Sequence, residues 1–239
     1  MTMTGVIKKS IDFIEANLHR DIGVADVADS VCYSQFYFSR QFSLCTHISV
    51  YDYILKRKLS EAYKTLFSKT PRILDLALQY GFQSHEVFTR AFRKMFGENP
   101  SEASVYKPLL VYERIDDDYL SFLTDLKIDI VGSTYADNRF EVEAETDYES
   151  ENAFLIILSE NLLSSKTVLS GRLKTEDSPL LCFKLDGLTT ELRIHHTDVK
   201  RSIRYFIDNF YDSGRMASNY ILLNKDKRHI DIIIPENSK

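Results

Sequence analysis

Five side chains with hydrogen-bonding heads recur at helical spacing in one short stretch: His85, Glu86, Thr89, Arg90 and Arg93. Residues three or four apart share a helix face, so they form one polar, cation-bearing ridge. A guanidinium fork matches the paired acceptors of guanine or the oxygens of a phosphate, and a carboxylate can accept from the amine of cytosine. The chemistry on offer is recognition of a nucleic acid. The same stretch carries Phe88, Ala91, Phe92 and Met95 on its other face, an apolar underside for seating the ridge on a core. A second set lies upstream, with Gln35, Phe36, Ser39 and Arg40 outward and Phe38 and Phe42 inward. Arg40 or Arg90 paired with guanine would supply about 1–3 kcal/mol of discrimination, whereas either one on a phosphate would only set register. Glu86, in the first turn of its helix, serves the helix dipole equally well.

Each ridge needs a turn and a second helix to present it. Residues 73–80 read as a short helix that stops at Gly81, where a glycine lets the chain turn left-handed, and Ser84 precedes the ridge helix. Upstream, residues 24–30 read as a helix and 31–34 as a turn, and Ser34 stands where Ser84 does. Between the copies, Val50, Ile54 or Leu55, Leu59, Ala62 and Leu66 mark one face of a long connecting helix, begun by Ser49 with Asp52 three residues on. Asn99-Pro100-Ser101-Glu102 has the cap, proline and reaching carboxylate of a further helix start. Two helix-turn-helix motifs on one rigid connector can enter successive major grooves, roughly 34 Å apart.

Residues 5–107 resemble the AraC/XylS family of bacterial transcription regulators, and residues 73–80 and 88–92 look most like the branch containing MarA, SoxS and Rob. The sequence departs from that branch at Phe36, where Trp is usual, and at His47, where Gly usually ends the first recognition helix. Both departures bear on base preference. The resemblance implies double-stranded promoter DNA as ligand, activation more often than repression, and contact with RNA polymerase. With two readers in one chain, a monomer can occupy an asymmetric site; a homodimer through the back half is the other arrangement.

Catalysis has no visible home. His85-Glu86-Val87-Phe88-Thr89 opens like a zinc-protease helix and lacks the second histidine one turn on. His195 and His196 are adjacent and point apart, so they are not a metal pair. There is no Gly-x-Ser-x-Gly and no phosphate-binding glycine loop. No catalytic residue, metal site or cofactor is therefore expected. Three widely spaced cysteines, Cys32, Cys45 and Cys182, suit a reducing compartment, with Cys45 as a buried thiol. No run approaches a membrane span and no secretory leader is visible, so the expectation is a cytoplasmic bacterial protein, on the nucleoid when bound to DNA.

At 239 residues, 44% hydrophobic, the chain can bury two cores. Its net charge of −5 is split unevenly: residues 1–108 carry 14 Lys+Arg against 11 Asp+Glu, and residues 109–239 carry 16 against 24. A mildly basic front suits phosphate contacts, and the acidic back should face away from DNA. Lys107-Pro108 marks the expected boundary, since proline disfavours helix before it. Beyond it the pattern turns strand-like at residues 109–112, 140–145, 153–158, 168–173, 180–185, 220–223 and 230–234, with a helix carrying Val199, Ile203, Phe206, Ile207 and Phe210 on one face and a shorter one over 116–126. The fold expected is an all-α double helix-turn-helix domain over 1–108, then an α+β domain with a mostly antiparallel sheet over 109–239. Residues 153–235 resemble the GyrI-like effector-binding module, which implies a small-molecule effector. Tyr220 falls where that module's pocket glutamate stands, which implies an aromatic, more neutral pocket. The alternative is a constitutive regulator whose back half only holds a partner or a second copy. Glu141, Glu143, Glu145, Asp147, Glu149 and Glu151 alternate as on one face of a strand, either a solvated sheet face or a strip for a basic partner.

Overall fold

The computed structural model describes residues 2–103, 111–142, 154–157, 181–210, 220–225 and 228–235. They belong to two compact units: residues 1–106 with 110–125, and residues 107–109 with 126–239.

The first unit contains α1 (Met3–Ala16), α2 (Val24–Ser30), α3 (Gln35–Thr46), α4 (Val50–Lys69), α5 (Ile73–Gln79), α6 (His85–Phe96) and α7 (Asp117–Asp125). The connector α4 begins as its sequence suggests: the Ser49 hydroxyl accepts from the Asp52 N–H at 3.0 Å and donates to the Asp52 carboxylate at 2.6 Å. Its two halves anchor different motifs. Tyr53 meets Phe42 of α3 at 5.7 Å between ring centroids, while Tyr63 stacks on Phe96 of α6 at 4.3 Å. Ile54, rather than Leu55, is the buried residue of that pair, and Leu66 is half-buried. The long N-terminal helix α1, which the sequence pattern did not mark out, buries Val6, Ile7, Ile11 and Ile14.

A buried ion network crosses the middle of α4. Arg57, its side chain 5% exposed, grips both carboxylate oxygens of Glu15 on α1 at 2.8 Å. It also reaches Glu61 at 2.9 Å and donates to the Tyr112 carbonyl at 2.6 Å. Lys64 extends the network to Glu61 and Glu113, each at 3.0 Å. Burial pushes the Glu61 carboxyl up, and Lys64 and Arg57 outweigh it, holding the group below the usual carboxylate range.

That network explains a difference from the expected boundary at Lys107-Pro108. The chain beyond the boundary returns to the helical unit: Val111, Tyr112 and Ile115 are buried, and α7 buries Tyr119, Leu120, Phe122 and Leu123. Residues 111 and 112 accordingly form no strand. A short apolar run reads alike whether it pairs in a sheet or lies as a strap over a core, and here Tyr112 N–H donates to Ser60 Oγ at 2.8 Å.

The second unit contains β1 (Ile128–Val142), β2 (Phe154–Ile157), β3 (Leu181–Ile194), α8 (Val199–Phe210), β4 (Tyr220–Lys225) and β5 (Ile230–Pro235). The strands form one antiparallel sheet in the order β1-β3-β5-β4-β2. β1 lies almost wholly before the strand expected at 140–145, overlapping it only at residues 140–142, and β3 runs on past the expected 180–185. The two pair from Ile128 with Ile194 to Val142 with Leu181, with an irregularity between Ile130 and Gly132. Asp198 precedes α8 and accepts from the Arg201 N–H at 2.9 Å. On α8, Tyr205 and Phe206 are buried, and burial pushes the Tyr205 phenol up to about 12. The strand expected at 168–173 and the acids from Glu143 to Glu151 lie outside the described residues; Glu141 sits in β1 opposite Cys182.

Candidate nucleic-acid interface

Both motifs are built on the same buried pair. Phe38 and Phe42 on α3, and Phe88 and Phe92 on α6, are each no more than 1% exposed. Their spacing of four turns the opposite face of each helix outward. On α3 that face exposes Gln35, Phe36 and Arg40, with Ser39 half-buried. On α6 it exposes His85, Glu86, Arg90 and Arg93, with Thr89 and the preceding Ser84 half-buried. The residues picked out from spacing are thus gathered on two helix faces, and none lies in a core.

The turns repeat as well. In the first motif Tyr33 N–H donates to the Ala28 carbonyl at 3.1 Å; in the second, Phe82 N–H donates to the Ala77 carbonyl at 3.0 Å. The residue inside each loop is left-handed, Cys32 at φ 60° and Gly81 at φ 71°. The second turn is one residue, Gln83, longer. Ser84 caps α6 by accepting from the Val87 N–H at 3.3 Å, while Ser34 makes no side-chain cap bond. The Ser84 hydroxyl, with Glu86's own backbone N–H, holds the Glu86 carboxyl below its ordinary range. Glu86 is therefore tied to the helix start as well as exposed on the ridge.

The two faces differ in chemistry. Around α6, an open concavity of about 650 Å³ is lined by His85, Glu86, Thr89, Arg90, Arg93, Lys94 and Asn99. Lys94 and Asn99 were missed from sequence, although Lys94 stands one turn from Arg90. Where a helix start was expected, residues 100–102 form a turn, with Asn99 Nδ2 donating to Glu102 at 2.9 Å; residues 104–110 lie outside the described residues. The Thr89 hydroxyl oxygen is buried with no partner among the described residues. The α3 face instead shows apolar bulk: Phe36 is 83% exposed, and Tyr37 and Leu44 are exposed too. Tyr37 stacks on Tyr33 at 5.5 Å, so the start of α3 is an aromatic platform with a single arginine beside it.

Other sequence candidates sit elsewhere. Cys45 is buried, and burial pushes its thiol up. Tyr220 is the first residue of β4, opposite Ile157 on β2. His195 reaches Asp129 at 2.6 Å, and the described residues contain no group of three ligands able to hold a metal. No helix among them is long and apolar enough to cross a membrane.

The family described as "Helix-turn-helix domain" matches residues 27–104. The chain is 39% identical over 94 residues to the uncharacterized HTH-type transcriptional regulator YbfP of Bacillus subtilis, a match covering 39% of this chain and 32% of that one. It is 38% identical over 98 residues to the transposon Tn10 TetD protein of Escherichia coli, covering 41% of this chain and 71% of TetD. It is 31% identical over 102 residues to the regulatory protein SoxS of Escherichia coli, covering 43% of this chain and 95% of SoxS. The chain therefore spans about a third of YbfP and nearly all of SoxS.

Proposed function

Because this chain belongs to the AraC/XylS family of transcription regulators, we propose that it binds promoter DNA sequence-specifically, reading two adjacent major-groove segments with α3 and α6. Members of this family are DNA-binding proteins and not enzymes. The observation that carries the reading is the repeated arrangement: a buried phenylalanine pair beneath, and an exposed arginine, Arg40 or Arg90, on the face above. At α6, Arg90, Arg93 and Lys94 supply phosphate contacts and base-edge donors. At α3, Phe36 offers an apolar surface for a thymine methyl, flanked by Gln35, Ser39 and Arg40.

The protein then acts on transcription by activation, touching RNA polymerase beside its site, as a monomer on an asymmetric operator. The second unit takes a small-molecule effector near β4, where Tyr220 lies; the GyrI-like pattern of the tail supports this. The test of the DNA reading is selection of random duplexes by the full-length protein at physiological salt, repeated with Arg40→Ala and Arg90→Ala. The expected product is a site of two short blocks about one helical turn apart, each block degraded by one variant. No enriched sequence from the full-length protein would defeat the reading.

A further inference from the structure

The two readers are joined twice. One join is α4, which ends at Thr70 in a left-handed conformation. The other is the loop between α1 and α2, which lies against the turn of the second motif. There the His19 ring meets Tyr80 at 4.8 Å between centroids, and His19 Nδ1 stands 3.2 Å from the Gln79 carbonyl. The backbone at Gly81 comes so close that a Cβ there would stand 2.7 Å from the Arg20 carbonyl carbon and oxygen and 2.9 Å from Asp21 N. Lys58, buried on α4, holds the same loop by donating to the Arg20 carbonyl at 2.5 Å. Two turns further along the same face of the connector, Thr65 Oγ1 and the Tyr80 hydroxyl are 2.8 Å apart. The loop that leads into the first motif is thus wedged between the connector and the second turn.

We infer that this interlock sets the spacing the protein accepts between its two DNA blocks, with His19, Lys58 and Gly81 as positioning residues that need not touch DNA themselves. The inference rests on the two-segment reading above. One inserted base pair moves the far block by about 3.4 Å and turns it by roughly 35° about the duplex axis. Readers joined only through α4 and the link at 70–72 could follow by bending at that link. With a second tie at residues 19–21, the second motif is held at two separated points, and following the DNA means breaking a backbone-to-backbone approach that only glycine permits.

The test uses the full chain and the duplex it selects, with one base pair added or removed between the blocks. The wild-type protein is expected to lose roughly tenfold in affinity at either altered spacing, the size of one mismatched base pair. His19→Ala removes an exposed ring, and Lys58→Met keeps the buried stem and removes the ammonium. Each should flatten the spacing profile to about threefold or less, a ratio that uniform loss of stability would not change, with the unfolding midpoint followed in parallel. A sharp wild-type profile kept by both variants would overturn this inference alone. A flat wild-type profile would also overturn this inference alone, whereas a selected site with no second block would overturn the two-segment reading beneath it.

Discussion

The two helix-turn-helix motifs share one design and reach it by different means. The second carries its own solutions. Gly81 and Gly97 fill both left-handed positions, and Ser84 caps α6. The first puts Cys32 and His47 at the corresponding left-handed positions, at φ 60° and 58°, and its Ser34 makes no cap bond. A side chain in that region costs about 1–2 kcal/mol. The first motif recovers stability from outside itself: His47 Nε2 donates to the Leu123 carbonyl of α7 at 2.9 Å, and α7 packs against α1 and α3. One reader is encoded locally and the other is held in place from a distance. Their outward faces differ in the same sense, charged on α6 and mainly neutral and aromatic on α3.

The sharpest way to break this comparison is to remove the outside support. A chain ended at Pro108 loses seven buried side chains, Val111, Tyr112, Ile115, Tyr119, Leu120, Phe122 and Leu123. At about 1.5–3 kcal/mol each, that loss matches the whole stability of a domain. A fragment of residues 1–125 should show protected α3 amides in hydrogen exchange, and a fragment of residues 1–108 should not; equal protection in both would sink the idea of a supported first motif. Next in size is Gly81→Ala, which meets both the left-handed backbone and the Arg20 carbonyl. It should cost about 2–4 kcal/mol in urea denaturation, against less than about 0.5 kcal/mol for Cys32→Ala at the exposed equivalent position.

The charge contrast predicts a difference in salt dependence. Replacing Arg93 and Lys94 together by Ala should lower the slope of log affinity against log salt by about two. The equivalent pair on α3, Ser43 and Leu44, should leave the slope unchanged. The smallest expected effect separates the caps. Ser84→Ala should cost about 1 kcal/mol and Ser34→Ala only a few tenths, read as a shift in the urea midpoint.

The sequence made the two motifs legible because their information is local. Phe38 with Phe42, and Phe88 with Phe92, repeat at one helical turn, and Gly81 punctuates the second copy. Which residues face outward followed from that spacing: Gln35, Phe36, Arg40, His85, Glu86, Arg90 and Arg93 are exposed, whereas Ser39, Ser84 and Thr89 are half-buried. Long-range facts were out of reach. Nothing near Arg57 announces that its partners are Glu15 and the Tyr112 carbonyl, 42 and 55 residues away. Helix α7 was visible as a periodic segment, but periodicity states that a face is apolar and not which core receives it. The order β1-β3-β5-β4-β2 is unreadable for the same reason, since each strand offers only its own alternation. On the interface, Thr89 reads as one more outward hydroxyl, and only packing reveals that its oxygen is shut away without a partner among the described residues.

The bond between His47 and Leu123 spans 76 residues, and a ribosome makes it matter in time. At about 5–20 residues per second, roughly 4–15 s pass between synthesis of the first recognition helix and arrival of its last support. Every contact described for the second motif is available before α7 exists. The motif translated first is therefore finished last, and over the final 26 residues of that interval, from Gly97 to Leu123, the nascent chain carries one completed helix-turn-helix and one still waiting for its carbonyl.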